Sequence, residues 1–438
     1  MSEMTRNRID GWGIYLALLV CLIPIVVPSG PARLAFVDGL IVLGLGAFAI
    51  VFLTRKEPFR VPFMAPVLMI TVGSLAAVVN AESPSASFLA LAQDAYLFIW
   101  FIMLVQILRD RDLTPVQITW IWVANIIALY GIFIVLTEGH LSLMDIVKPK
   151  GKRAYGTFYD PNMFAGYLVM SLFFVLSMGR RLPRLVRWGS ILTMTVCIIA
   201  TKSNGGVLSL IVGLGAWLAV RAWTRQVSPA AMVACVLLLG SLGLGALWMN
   251  AGVGIGAAQL SAFQSNSFLA RAEHSSEGRF TIWKNLQSTY AKSPLGIGPG
   301  NSSFLTLSVE DRLRPNSLQS KEAHNDYLAY AIERGPLGLL GLLVLMGSAF
   351  AKLGAVAKRG QDAQGTSDAN GPLVAAMTGA LAASAVHALT IEVLHFRHFW
   401  MLMAIICVIE ARTKAGKADH GTSTPGPSMW SRQREVAA

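Results

Sequence analysis

The segment His324-Asn325-Asp326-Tyr327-Leu328, continuing through Glu333-Arg334-Gly335-Pro336-Leu337-Gly338, holds the residues best suited to chemistry. A histidine titrates near neutrality, so His324 can take a proton as general base or donate a hydrogen bond. At roughly 100° per residue, a continuous helix returns Gly335 to within about 20° of His324. The spacing therefore predicts that the imidazole shares a face with Gly335, Gly338 and Gly341, and glycines on one face let helices pack closely. An interfacial histidine satisfied by water fits the same spacing. Glu322 and Asp326 flank His324 one helical turn apart and could orient its ring. No second histidine stands at ligand spacing, so a metal site is not expected.

Other polar groups are more scattered. Residues 278–292 read as an amphipathic helix with Phe280, Trp283, Leu286 and Tyr290 on one stripe, suited to the membrane surface or the side of a bundle. Arg279 opens it, either fixed near the headgroup plane or solvated at the surface. The run Gly296-Ile297-Gly298-Pro299-Gly300-Asn301 has no preceding strand and no following lysine, so it reads as a tight turn rather than a phosphate loop. Asp94 and Glu392 lie within or at the end of apolar stretches, where ionisable residues are functional candidates; Asp94 is equally suited to pair with an arginine inside a bundle. His395, Arg397 and His398 mark a late turn, as site rim or headgroup contact, and His387 reads as a packing residue.

These residues need a scaffold, and composition says what kind. Of 438 residues, 54% are apolar and 14% charged, with mean hydropathy +0.56; a soluble domain carries about 25% charged residues. The expected fold is all-α, a polytopic membrane helical bundle. A cytosolic enzyme, a secreted disulfide scaffold and a disordered binder are excluded. The net charge of +12 does not argue for nucleic acid, because cationic loops are usual on membrane proteins and face membrane lipids. Cys21, Cys197, Cys235 and Cys407 lie in apolar stretches without a CxxC pair, signalling neither a metal site nor a disulfide framework. The first apolar run follows Arg6 and Arg8 but lacks a small-residue cleavage site, so it reads as a retained span.

A span needs about 20 apolar residues. About twelve candidates are centred near Leu18, Leu43, Ile70, Leu97, Ile126, Met170, Thr193, Leu214, Leu238, Leu343, Ala380 and Met403. Every even connection is basic: Arg55, Lys56 and Arg60; Arg109 and Arg111; Arg180, Arg181, Arg184 and Arg187; Arg221 and Arg225; Lys358 and Arg359; Arg412, Lys414 and Lys417. By the positive-inside rule these connections and both termini are cytoplasmic, and the odd connections face the outside, or the periplasm if the cell is Gram-negative. The odd connection at 250–322 is far longer than an ordinary loop and is expected to form an ordered periplasmic cap around its amphipathic helix. Residues 1–413 then make one transmembrane domain, and 414–438, rich in Gly, Ser, Thr, Pro and charge, a disordered cytoplasmic tail.

The pattern His324-Asn325, nine residues, then Gly335-Pro336-Leu337-Gly338 resembles the signature of the O-antigen ligase and polysaccharide polymerase superfamily. Gly278-Arg279-Phe280-Thr281-Ile282-Trp283, the run from Pro294 to Gly300, and the segment from Arg153 to Asn162 fit the same family, as does the span layout. The resemblance implies a membrane glycosyltransferase of lipopolysaccharide or polysaccharide biosynthesis. It would take a glycan from a polyprenyl (undecaprenyl) diphosphate carrier to an acceptor hydroxyl, without cofactor or metal ion. The acceptor would be lipid A core for a ligase, or the growing polysaccharide for a polymerase of O-antigen or exopolysaccharide repeat units. It implies catalytic roles for His324 and Arg279, a less secure role for Arg153, and support from Asn325, Gly335 and Asn162. One departure stands out: many members show Ser-Arg-Gly where this chain has Lys202-Ser203-Asn204-Gly205-Gly206, so Lys202 or Arg153 must supply the charge, or the chain is a divergent subtype.

Charge placement supports the same site. Lys148, Lys150, Lys152 and Arg153 sit in an odd connection, against the positive-inside bias. A diphosphate needs several cationic donors, and arginine forks bind it bidentately; anionic headgroups would attract the same lysines. Two other classes compete. A secondary transporter predicts broken helices at the midplane and paired halves, whereas these polar groups load one outer face. A flippase or assembly scaffold would want a continuous polar path, which scattered charges such as Asp94 do not provide.

Overall fold

Lipid offers backbone groups no hydrogen-bond partners, so long apolar stretches must satisfy themselves as helices. The computed structural model describes residues 11–26, 35–54, 60–137, 153–158, 160–224, 290–302, 324–362 and 371–421. Among these, regular structure is entirely helical: α1 (Gly11–Leu22), α2 (Phe36–Thr54), α3 (Met64–Ala77), α4 (Pro84–Leu108), α5 (Thr114–Leu136), α6 (Pro161–Met178), α7 (Arg184–Ala200), α8 (Asn204–Trp223), α9 (Asp326–Asp362), α10 (Gly371–His387) and α11 (Arg397–Gly421), with short 3₁₀ turns after α3 and α6. Five stretches are long and apolar enough to cross a membrane: Pro84–Leu108, Thr114–Leu136, Pro161–Arg181, Asn204–Trp223 and Asp326–Gly360. The chain is a multi-pass membrane protein. The span centres expected from sequence fall inside α1 to α11, except Leu238, which lies outside the described residues.

Helix starts follow local chemistry. The Ser83 hydroxyl, the Asp160 carboxylate and the Ser203 hydroxyl cap α4, α6 and α8 by accepting from Ala86, Asn162 and Gly206 N–H, satisfying amides that the first turn leaves free. Pro84 and Pro161 follow two of these caps, where proline's missing N–H costs nothing. Helix α6 is the most buried of the five spans. Its Tyr167 and Phe174 stack on Trp120 with ring centroids 5.6 and 4.9 Å away, and Ser171 Oγ accepts from the indole N–H at 2.8 Å.

Small residues set the closest helix pairs. A Cβ on Gly73 would sit 2.7 Å from the Gly338 amide nitrogen, and one on Gly341 would sit 2.9 Å from that of Ile70, so α3 lies directly on α9. Likewise Gly213 of α8 meets the Gly379 carbonyl of α10. The glycine seam expected from sequence therefore packs helices at Gly338 and Gly341.

The continuous helix from His324 to Gly341 is corrected. Helix α9 begins at Asp326 and breaks at Gly335, with φ 68° and ψ −171°. His324 precedes the helix in left-handed conformation, φ 50°. The shared face of His324 and Gly335 disappears because glycine followed by proline ends one helical segment and starts another. Helix α11 runs to Gly421, and within it Glu410 pairs with Lys414 and with Lys352 of α9.

At one end of the bundle, the Arg412 guanidinium donates to the carbonyls of Leu108, Arg109 and Arg111, closing the α4–α5 turn onto α11. The opposite end gathers the starts of α4, α6, α8, α9 and α11 with residues 153–158 and 290–302, and carries the candidate site.

Candidate functional site

Residues 153–158 dock onto the turn between α7 and α8. Ala154 N–H donates to the Ala200 carbonyl at 2.9 Å, and Arg153 Nε to the Thr201 carbonyl at 2.8 Å. Arg153 Nη2 lies 3.4 Å from both Asn162 Oδ1 and the Lys202 carbonyl. One guanidinium thus joins the α6 start to the α7–α8 turn, a use of its planar fork that an ammonium could not match. Lys202 occupies the left-handed region at φ 52° with an exposed side chain, a conformation costing a non-glycine residue about 1 kcal/mol or more. The two carbonyl contacts from Arg153 help offset that cost and fix where the ammonium stem begins.

His324 is held from its C-terminal side. Asn325, buried, caps α9 by accepting from Leu328 N–H at 3.1 Å. Asp326, fully buried, donates its N–H to the Ala388 carbonyl at 2.8 Å and accepts from Val393 N–H at 2.6 Å through Oδ2. The half-buried His324 is therefore fastened to the connection between α10 and α11. That connection also reaches the cationic turn: His387 Nε2 contacts the Asn162 carbonyl at 3.0 Å, and a Cβ on Gly205 would fall 2.2 Å from Thr390 Oγ1. Asp326 serves as a staple between the start of α9 and the α10–α11 connection.

The Gly296–Asn301 run is a tight turn, as its composition indicates, and the α9 break receives it. Ile297 and Gly298 N–H donate to the Ile332 and Glu333 carbonyls at 3.0 Å each; Pro336 has no N–H to offer Ile332, and the break at Gly335 frees the Glu333 carbonyl. Glu333 then takes Gly300 N–H on one carboxylate oxygen at 3.0 Å and Ser302 N–H on the other at 3.1 Å. Asn80 and Asn301 complete the dock: Asn80 Nδ2 donates to the Gly296 carbonyl, and Asn301 Nδ2 to Ser87 Oγ. Gly335, expected as a supporting site residue, supports this loop.

Two arginines of this end make ion pairs between helices. Arg334 meets Asp94 at 2.5 Å and Ser74 Oγ at 2.8 Å and lies 4.5 Å from the Tyr330 ring centroid. Asp94 therefore has the intrabundle arginine partner that sequence offered as one of its two readings. Arg397 makes a bidentate pair with Asp38, 2.7 Å from Nη2 to each carboxylate oxygen, and Tyr96 donates to the same carboxylate. It is spent on that staple rather than on a headgroup. His398 is buried against Phe158, Tyr167 and Phe396 rather than at a rim, while His395 is more open and 3.6 Å from Glu392. Sequence reasoning gave no role to Asp38, Glu333 or Arg334; the rule that flagged Asp94, a charge inside an apolar stretch, applies equally to Asp38.

Arg279, Lys152, Lys148, Lys150, Glu322 and most of the amphipathic segment lie outside the described residues. Among the described residues, no three His, Cys, Asp or Glu side chains are grouped to hold a metal ion.

The geometry thus brings together Arg153, Asn162 and Lys202, and ties them through one connection to His324. Residues 189–343 match the family model described as O-Antigen ligase. This stretch is similar to the O-Antigen ligase family. The family is one of ligase- and polymerase-type membrane enzymes acting on lipid-linked glycans. No curated protein matches the chain significantly. The matched stretch contains Lys202, Arg279, His324, Asn325 and Gly335, whereas Arg153 and Asn162 precede it and join it through the contacts above.

Proposed function

We propose that this protein is a glycosyltransferase of the bacterial inner membrane that moves a glycan from a polyprenyl diphosphate carrier to an acceptor hydroxyl, as an O-antigen ligase acting on lipid A core. The observation that carries this reading is the cluster of Arg153, Asn162 and Lys202 at the same bundle end as His324, joined by one α10–α11 connection and continuous with the stretch similar to the O-Antigen ligase family. The basic residues of the even connections argue for a periplasmic site, within a bundle of about twelve spans.

In this reading the acceptor oxygen attacks the anomeric carbon as the bond to the diphosphate oxygen breaks. The diphosphate departs with the bonding electrons, and the acceptor proton passes to His324. Lys202 and Arg279 offset the charge growing on the leaving group, a fixed electrostatic stabilisation. Lys152 extends the cationic rim. Arg153 positions Lys202 while presenting its own charge. Asn325 and Asn162 hold the two arms. The carrier linkage supplies the driving force, so no cofactor is needed, and the step is proposed to run without a metal ion.

The test is transfer by the purified protein in vesicles, from a polyprenyl diphosphate-linked glycan, with chelator present. One glycan added per lipid A core molecule supports ligation. A ladder of products would make the protein a polymerase, dependence on added divalent metal would overturn the metal-free step, and no transfer to either acceptor would overturn the reading. Impermeant labelling of Lys292→Cys, exposed in the 290–302 segment, in intact cells checks the orientation; labelling only after the membrane is broken would invert it.

A further inference from the structure

We infer that His387 is a positioning residue, setting the relative placement of the His324 arm and the Arg153–Lys202 arm. The inference rests on the proposed transfer reaction but uses a residue outside its chemistry. His387 ends α10, is buried, and its Nε2 lies 3.0 Å from the Asn162 carbonyl. A carbonyl oxygen only accepts, so the ring donates there. The Asn162 side chain in turn contacts Arg153, which contacts the carbonyls of Thr201 and Lys202. The next residue, Ala388, accepts the Asp326 N–H at 2.8 Å, two positions from His324. Two adjacent residues therefore hold both arms of the site.

The ring fits tightly against α6. A Cβ at Gly166 would come 2.8 Å from His387 Cδ2 and 2.9 Å from Nε2, so glycine is what lets the ring reach the α6 start. Gly166 and His387 line one small cavity together with Ser209, Ser384 and His398, so a methyl added at Gly166 bears directly on the imidazole. The His387 carbonyl is itself bonded by Thr390 and Ile391 N–H, which stiffens the turn carrying Ala388. A bond that aligns two arms acts on the reacting geometry more than on donor affinity. Misplacement on the order of 1 Å costs about a hundredfold in rate, and such a loss falls on kcat rather than KM.

Three variants test this in the full-length protein reconstituted in vesicles. His387→Leu fills the space without the donor, His387→Gln restores an Nε2 donor at similar reach, and Gly166→Ala keeps the histidine but displaces its ring. Expected are kcat losses of about ten- to a hundredfold in His387→Leu and Gly166→Ala, with donor KM nearly unchanged and substantial recovery in His387→Gln. Faster hydrogen exchange is expected in segments 160–166 and 324–329 of His387→Leu and Gly166→Ala. Parental kcat in His387→Leu would overturn the inference, as would equal losses in Leu and Gln variants with falling yield of folded protein, the mark of packing alone. If the parent transfers no glycan, the proposed function falls, and the exchange measurement still decides whether His387 holds the two segments.

Discussion

Gly335→Ala is expected to destabilise the folded protein by about 2–6 kcal/mol. At φ 68° and ψ −171° the backbone lies where non-glycine residues rarely go, a strain of about 1–3 kcal/mol. The new methyl would sit 2.5 Å from the Leu295 carbonyl oxygen and 2.8 Å from its carbon. These are backbone atoms with no rotamer to escape into, so the 294–298 turn must retreat. Its two bonds to the Ile332 and Glu333 carbonyls then weaken, at about 0.5–1.5 kcal/mol each. Straightening the helix instead would leave the buried Ile297 and Gly298 amides without acceptors, about 1–3 kcal/mol each, so both routes arrive at a similar loss. Thermal unfolding in detergent, followed by tryptophan fluorescence, measures it. Gly347→Ala is the control: Gly347 lies on the same helix, exposed, with nothing within 4 Å of a Cβ, and alanine there gains up to about 1 kcal/mol in helix propensity. A Gly335→Ala midpoint matching that of Gly347→Ala would refute the account of the break.

Glu333→Gln keeps one acceptor oxygen of two, so it should lose about 1–3 kcal/mol and expose segment 290–302 to limited proteolysis; unchanged protection would mean the carboxylate does not hold the loop. Asp94→Leu leaves the Arg334 guanidinium buried and unpaired and should cost about 3 kcal/mol or more, much of it recovered when Arg334→Met is added; a double-mutant cycle showing no coupling would contradict the pairing. Arg153→Lys keeps the charge but loses the fork that joins Thr201 and Asn162, so glycan transfer should fall while folded yield persists, and parental transfer would remove Arg153 from the site.

Much of the scaffold was readable because bilayer physics leaves few choices. Apolar runs at Leu97, Ile126, Met170 and Leu214 had to be helices, and α4, α5, α6 and α8 occupy them. The glycine spacing at Gly338 and Gly341 correctly signalled close packing, because a missing Cβ has the same steric meaning in any context. Periodicity misled at His324, where an extrapolated helix ignored the Gly335-Pro336 pair. The dihedrals at Gly335 are set by a loop more than thirty positions earlier, which sequence spacing does not report. Arg153, Asn162 and Lys202 were separately suspected, but their meeting depends on the 153–158 segment docking on the α7–α8 turn. Glu333 stayed unread because a carboxylate beside an arginine in sequence looks like a local pair, while in space it faces the Gly300 and Ser302 amides.

The central claim is that His324 takes part in glycan transfer. The most direct measurement compares the parent and His324→Ala, inserted in vesicles at equal amounts, for transfer from a purified polyprenyl diphosphate-linked glycan. The His324 side chain precedes α9, and the staples at Asn325 and Asp326 do not depend on it. The variant should therefore fold and insert normally yet lose transfer by a factor of about a hundred or more, the range expected when a positioned general base is removed. Transfer at the parental rate by a normally inserted His324→Ala protein would contradict the account.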